Sequence, residues 1–426
     1  MCRKKSILSA VRSVVGEPSF VLAPEVLDTS LEVKRAVREA LRSPIGCPPL
    51  SDSVSSARRV LILVDDITRP TPRRELLPPI LDALNAAGVA DSGIEVLIAL
   101  GTHRPMTSEE IRDALGDEVI GRVSVANHDF RDPTQLTHVG RTPAGTPVIV
   151  NRRVGQADYV IGVGSIVPHP EAGWSGGAKI LQPGVCGEET TAWTHMLAAR
   201  QPDHLALAGD ETNPVRREIE QVALDGGLRF IVNVVFDGSG KVVGLVAGDP
   251  VQAHRKGVDI ARRIFVQKIR HPADIVVVDA WPADIDYWQG VKPLAFAVRA
   301  VVNGGALILV GGFSEGLSPV YNLELKACGC MSLDALRDAE RTGELRPGVC
   351  TEALYLHAAI RERAKVLCVS PGLSPTDKEA LGFTHAATIE DGLREALASG
   401  DDEPSVGVIF QGGDVLPELV SRKGSE

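Results

Sequence analysis

The sequence predicts an α/β protein: two α/β domains with mainly parallel sheets and a cofactor or substrate crevice between them. Three observations predict it. Short apolar, β-branched runs alternate with helix-length amphipathic segments, the pattern of strand–helix–strand units. A chain of 426 residues exceeds what one hydrophobic core usually serves. The alternation pauses at His271-Pro272-Ala273, a plausible hinge, and then restarts. The expected division is an N-terminal cofactor-binding catalytic domain over 1–270, a C-terminal α/β domain closing over the substrate at 274–412, and a tail at 413–426.

The elements follow in order. Residues 59–64 read as a buried strand that ends in Asp65-Asp66. A helix over 73–87 follows, which Pro78-Pro79 should bend or interrupt in its first part. The next strand, 94–100, ends in Gly101-Thr102-His103-Arg104-Pro105, and Thr107-Ser108-Glu109-Glu110 is a capping-box pattern opening a helix through 115. A strand at 123–126, a hairpin over 142–150 around Pro143-Ala144-Gly145 and a buried strand at 159–163 come next. Asn213-Pro214 starts a helix to 224. The runs 230–236 and 241–246 flank Gly238-Ser239-Gly240 as a hairpin, and a helix over 250–265 leads to the hinge. Beyond it come strands at 275–278, 306–310, 366–369 and 406–410, with helices from Pro293, over 352–364 and over 389–398.

Composition removes several function classes. Apolar content of 44% and charged content of 23% are ordinary for a globular protein, whereas aromatics, at 4%, leave Val, Leu, Ile and Ala to build the core. A formal net charge of −10 argues against a binder of nucleic-acid phosphates, although a few cations can still dominate one cleft. Seven cysteines are an odd number without framework spacing, and Cys328-Gly-Cys330 lacks a second pair for zinc. Reduced, mostly buried thiols are expected. No apolar run approaches the roughly 20 residues that span a bilayer. The basic start, Met1 to Ser6, is not followed by a long apolar core, so a cytoplasmic setting is expected, without membrane or nucleic-acid partners.

The densest chemistry lies in Pro168-His169-Pro170-Glu171-Ala172-Gly173-Trp174-Ser175-Gly176-Gly177-Ala178-Lys179, with His195 shortly after on an expected helix over 188–197. The glycines permit close backbone approach to an anion, and the lysine adds a cation or a nucleophilic amine. The run is not a nucleotide-triphosphate loop, because the Gly-x-x-x-x-Gly-Lys-Ser/Thr spacing is absent and Ile180 replaces the metal-binding hydroxyl. No Gly-x-Gly-x-x-Gly follows a strand, which disfavours a nicotinamide dehydrogenase.

Asp65-Asp66-Ile67-Thr68-Arg69 follows a strand. Its carboxylates suit capping, a ribose or a metal, and Arg69 suits a phosphate or carboxylate. Asp66, His103 and His169 all lie just past strand ends, which puts them around one crevice. Each has an ordinary alternative: Lys179 as a surface lysine, His195 as a core or cap histidine, and Asp286 to Pro293 as an exposed loop rather than a cleft wall. His128 beside Asp129 reads as structural, and His138, His204, His254, His271, His357 and His385 have no partners legible in sequence.

Taken together, Asp66-x-x-Arg69, Gly101-Thr102-His103, Pro168-His169, Gly176-Gly177-Ala178-Lys179, His195 and Gln289-x-x-Lys292 resemble the nickel-pincer-nucleotide-dependent lactate racemase family, in order and approximate spacing, from about residue 60 to 295. The resemblance implies a nickel-pincer nucleotide linked covalently to Lys179, with His195 as the protein ligand to nickel. It implies that Asp66, Ile67, Thr68 and Arg69 bind the cofactor, and that His103 and His169 are the acid–base pair. Arg69, Gln289 and Lys292 would bind substrate. The implied activity is inversion of a hydroxyl-bearing carbon in a 2-hydroxy acid by reversible hydride transfer, with proteins of cofactor synthesis as partners. Lactate, malate and larger sugar acids all remain open as substrates, as does a non-catalytic cofactor- or ligand-binding homologue. The pair of histidines argues against the last, because binding alone needs no two-sided acid–base set.

Overall fold

The computed structural model describes residues 2–398 and 404–420. Among these, the strands assemble into two six-stranded sheets and three two-stranded pairs. In spatial order the first sheet comprises Val242–Gly248, Phe230–Phe236, Tyr159–Ser165, Val60–Val64, Ile94–Ile98 and Ser124–Asn127. It is parallel except for the Phe230–Phe236/Val242–Gly248 hairpin at its edge. Every residue of Val60–Val64 is buried, as a central strand covered on both faces should be. The second sheet runs Phe20–Leu22, Val406–Ile409, Ala273–Asp279, Val301–Val310, Lys365–Val369 and Thr384–His385, and all its pairings are parallel. The α/β class with mainly parallel sheets is therefore what the chain adopts.

The strand orders dictate where ligands can sit. In the first sheet the chain proceeds outward from Val60–Val64 to Ile94–Ile98, then returns to lay Tyr159–Ser165 on the other side. The loops after Val60–Val64 and Tyr159–Ser165 therefore diverge, opening a crevice at the strands' C-terminal ends. The second sheet repeats the device between Ala273–Asp279 and Val406–Ile409. There the amide of Gly412 donates to the Asp279 carbonyl at 2.8 Å.

Several expectations change. Residues 2–22 do not belong with the first sheet. Phe20–Leu22 pairs with Val406–Ile409, and Ile7 and Val11 of the helix Cys2–Val15 pack into a core with Ile275, Val277, Ile308 and Leu393. The boundary at residue 1 misses this, because a three-residue strand falls below the length at which alternation shows. The tail from 413 contains a strand, Leu416–Leu419, parallel to Val266–Ile269, while residues 421–426 lie outside the described residues. Pro78 and Pro79 sit inside the helix Arg73–Ala86 without ending it, in a stretch buried from Leu76 to Leu81, so packing outweighs the missing amides. The helix opened by the capping box at Thr107 ends at Gly116, as expected, and a second, unexpected helical segment continues to Arg122. The helix expected from Pro293 begins at Tyr287 instead, capped by Asp286, whose side chain accepts from the Gln289 amide. No helix of the described residues is long and apolar enough to cross a membrane.

Candidate active site

One cleft of about 150 Å³ gathers most of the residues singled out in the sequence. Asp66, Thr68, Arg69, His103, His169, Lys179 and His195 line it from the first sheet's side, and Gln289 and Lys292 from the helix Tyr287–Ala297. Beginning that helix at Tyr287 puts Gln289 and Lys292 three residues apart on one turn, so both reach the same space. Ile67 is the exception: it faces an adjoining pocket and packs against a core of the first sheet.

The two adjacent aspartates do different work. Asp65 ties the loop down, 2.6 Å from Arg73 Nη1 and accepting from Thr71 Oγ1 at 2.5 Å. Asp66 has both oxygens engaged: Oδ1 accepts from the Thr68 amide at 3.0 Å and hydroxyl at 2.6 Å, and Oδ2 meets His103 Nδ1 at 2.6 Å. Burial works to raise its pKa, but His103, Thr68 and Arg69 outweigh that and hold the carboxyl well below the usual range. Asp66 therefore orients His103 rather than offering a free carboxylate to a ligand.

The proton on His103 Nδ1 leaves Nε2 as an acceptor, and Gln289 Nε2 stands 3.0 Å from it. Lys292 Nζ donates to Gln289 Oε1, which fixes the amide's orientation. The line Lys292–Gln289–His103–Asp66 thus runs from the helix Tyr287–Ala297 to the strand-end loops of the first sheet. Burial, Arg69 and Lys179 push the Lys292 ammonium well below the usual lysine range. Arg69 donates through Nη1 to the Thr68 carbonyl and hydroxyl at 3.0 and 3.1 Å, and Nε and Nη2 have no partner among the described residues. Both therefore remain available to an anion.

His169 also stands beside a carboxylate, although the Ala172 amide donates to its Nδ1 at 3.5 Å. Its Nδ1 lies 2.8 Å from Glu171 Oε2, and its Nε2 lies 3.0 Å from Lys179 Nζ. Burial and the Lys179 charge hold the imidazole well below its ordinary pKa, against the pull of Glu171. Burial, with Arg69 and Arg216 nearby, also pushes the Lys179 amine down to about 7 despite Glu171. His195 Nδ1 donates to the Thr191 carbonyl at 2.8 Å, one turn back on the helix Glu188–Ala199, leaving Nε2 with its lone pair on the cleft side.

The glycine turn before Lys179 is shaped from beneath. Gly176 and Gly177 adopt φ of 73° and 58°, and the Gly177 amide donates to Asn233 Oδ1 at 2.7 Å. The fully buried Arg216 donates from both Nη atoms to the Gly176 carbonyl at 3.2 Å, with its Nη2 also 2.7 Å from His254 Nε2. A Cβ on Gly177 would sit 2.7 Å from Arg216 Nη2 and 2.8 Å from the His254 ring. Gly177→Ala should therefore cost about 1–3 kcal/mol of stability, read as a lower urea midpoint at unchanged slope. An unchanged midpoint would show that the turn relaxes freely.

Several contributors were not legible in sequence. Glu171, two residues from His169, proves to be its carboxylate partner. His204 pairs with Glu352 at 2.8 Å, His254 supports the glycine turn through Arg216, and His357 Nδ1 meets Tyr287 Oη at 2.6 Å. His128 is structural, held between the Cys186 carbonyl and Asn151. Arg104 joins two distant stretches of chain, reaching Glu110 and Glu315 at 2.8 and 2.7 Å. Only the spacing of Glu171 from His169 gave any hint; the other partners are distant in sequence.

Comparison with known proteins accords with this geometry. Residues 15–206 match the family model described as the lactate racemase N-terminal domain. The chain is 31% identical over 282 residues to the lactate racemase of Thermoanaerobacterium thermosaccharolyticum, an alignment spanning 66% of either chain, just under two thirds. It is 29% identical over 387 residues to the lactate racemase of Lactiplantibacillus plantarum, spanning 91% of each. The solved lactate racemase apoprotein of T. thermosaccharolyticum superposes with a TM-score of 0.84 at 26% identity, covering 94% of this chain and 95% of that one. A Thermotoga maritima protein shares the fold at a TM-score of 0.73 and 20% identity, covering 94% of this chain and all of that one. With the cleft residues in that order and that fold around them, the chain belongs to the lactate racemase family.

Proposed function

We propose that the chain is an isomerase that inverts the hydroxyl-bearing carbon of a 2-hydroxy acid with a nickel-pincer nucleotide linked to Lys179. The observation that carries this reading is the pair of carboxylate-backed histidines, His103 and His169, presenting Nε2 atoms to the same cleft as a lysine whose amine is pushed down to about 7. A binding protein has no need of two such bases.

The residues present fit the group. His195 keeps one unshared nitrogen on the cleft, and its other ring nitrogen is anchored to a backbone carbonyl, as metal-ligating histidines usually are. The described residues hold no cluster of three or more His, Cys, Asp or Glu side chains suited to a bare ion, so the site suits a metal that brings its own donors. When bound, the nucleotide would supply a hydride acceptor, chemistry that avoids a carbanion. His103 or His169 removes the hydroxyl proton at Nε2, and Asp66 or Glu171 stabilises the resulting imidazolium. The other histidine serves the opposite enantiomer. Arg69 and Lys292 hold the substrate carboxylate, and Gln289, which donates to His103 Nε2, gives up that lone pair to the substrate hydroxyl. Proteins of cofactor synthesis would load Lys179, in a cytoplasm that keeps the cysteines reduced.

The test is mass spectrometry of protein made together with the cofactor-synthesis proteins. A nucleotide adduct on Lys179 with nickel, together with hydrogen exchange at C2 of a hydroxy acid, is expected. Active protein with unmodified Lys179 would overturn the reading. The amine reacts only when neutral, so loading should rise with pH through about 7. It should be about tenfold slower at pH 6 than at pH 8 and level off above, followed by adduct formation over time. A loading rate flat across that range would show that the amine's protonation is not limiting.

A further inference from the structure

The cleft is bordered by three histidine–carboxylate pairs; both members of two line it, whereas the third contributes only its carboxylate. In His103–Asp66 and His169–Glu171 the imidazole sends its far nitrogen into the cleft, to Gln289 and Lys179. In the third pair the carboxylate of Glu352 lines the cleft and His204 stands behind it at 2.8 Å, outside the lining. Glu352 is 2% exposed. Its Oε1 makes no well-aligned hydrogen bond, and its Oε2 has no protein partner among the described residues.

The surroundings make this placement costly without a ligand. Glu352 lies on the helix Val349–Arg363, whose other cleft-lining residues are Val349, Ala353 and Leu356. Burial and the neighbouring Glu171 carboxylate raise the Glu352 pKa, against the pull of His204 and His195. His204 offsets part of the desolvation cost at Oε1, but Oε2 faces the cleft with no protein donor to repay its own.

We propose that Glu352 determines specificity, and that the substrate is a 2-hydroxy acid bearing further hydroxyls beyond C2, as in glycerate and longer aldonic acids, one of which donates to the Glu352 carboxylate. The proposal rests on the 2-hydroxy acid reading above. Arg69 and Lys292 take the substrate's carboxylate, so the tail is what meets Glu352. A methyl tail leaves the carboxylate unpaired and dry. A second carboxylate, as in malate, adds a negative charge beside Glu352 and Glu171. A hydroxyl is neutral and donates, and sites built to hydrogen-bond a hydroxyl discriminate strongly against analogues that lack it.

The experiment compares lactate, glycerate, a four-carbon aldonate and malate in two ways. Apoprotein is followed by the rise in melting temperature on adding each acid, and loaded enzyme by kcat/KM for C2 hydrogen exchange. Glycerate should exceed lactate by about tenfold or more in kcat/KM, and should stabilise the apoprotein at lower concentration. Glu352→Leu should abolish that preference, chiefly through KM for the hydroxylated acids, and Glu352→Gln, which keeps the shape and an acceptor oxygen, should retain part of it. A preference for lactate or malate in the native protein would overturn the proposal, as would a glycerate-to-lactate ratio unchanged in both folded variants. If no acid exchanges at C2 in protein carrying the adduct, the activity reading fails instead. The apoprotein arm then still decides the role of Glu352.

Discussion

Asp66→Asn should lower turnover by about 10²–10⁴ while leaving the fold and the Lys179 adduct in place. The size follows from how the two carboxylate oxygens are used. Oδ1 accepts from both the amide and the hydroxyl of Thr68, and Oδ2 faces His103 Nδ1. In the asparagine variant the carbonyl oxygen must stay with the two Thr68 donors, which turns the NH2 toward His103. The imidazole then has to accept at Nδ1, and its proton moves to Nε2, where Gln289 also presents a donor. Both ring nitrogens end up in the wrong state, and the base is lost. Exchange at C2 measures the rate, mass spectrometry the adduct, and nitrogen NMR of the imidazole the tautomer. Turnover within tenfold of the native protein, with the tautomer unchanged, would show that Asp66 does not act through His103.

The contrast between Asp66 and Glu352 shows what sequence can and cannot reveal here. The first sheet's strands were legible because parallel strands buried on both faces read as continuous apolar runs, as in Val60–Val64. Their order placed Asp66, His103 and His169 at strand ends, and a doubly wound sheet gathers such ends into one crevice. Local patterns could not reveal the joining of Phe20–Leu22 to the second sheet, which is a pairing between residues nearly four hundred positions apart. The same limit hid the pair His204–Glu352, since a glutamate on a helix ordinarily signifies a solvated face. Its partner is an isolated histidine far upstream. Lys292 and Gln289 lay between these extremes: the motif was visible, but the helix start that puts both on one turn depends on the Asp286 cap. Sequence thus found the groups that the resemblance and the strand ends point to, and missed those defined by tertiary contact.

His195→Ala should separate the metal from its nucleotide. Lys179 and His195 reach the cleft from different elements, the turn Gly177–Ile180 and the helix Glu188–Ala199. Removing the imidazole leaves the lysine's surroundings of His169, Glu171 and Arg69 as they are. The adduct should still form. Nickel retained after desalting should fall about tenfold or more, because even the loss of an outer-shell partner commonly costs that much affinity and a direct ligand costs no less. Lys179→Ala, by comparison, should lose both adduct and nickel. Metal analysis alongside intact mass on the two variants distinguishes these outcomes. His195 is well made for a ligand's role: its Nδ1 is held by the Thr191 carbonyl at 2.8 Å, so the ring cannot turn away without giving up that bond. His195→Ala protein with full nickel and full adduct would remove His195 from the metal site and leave it as a helix side chain bonded to its own backbone.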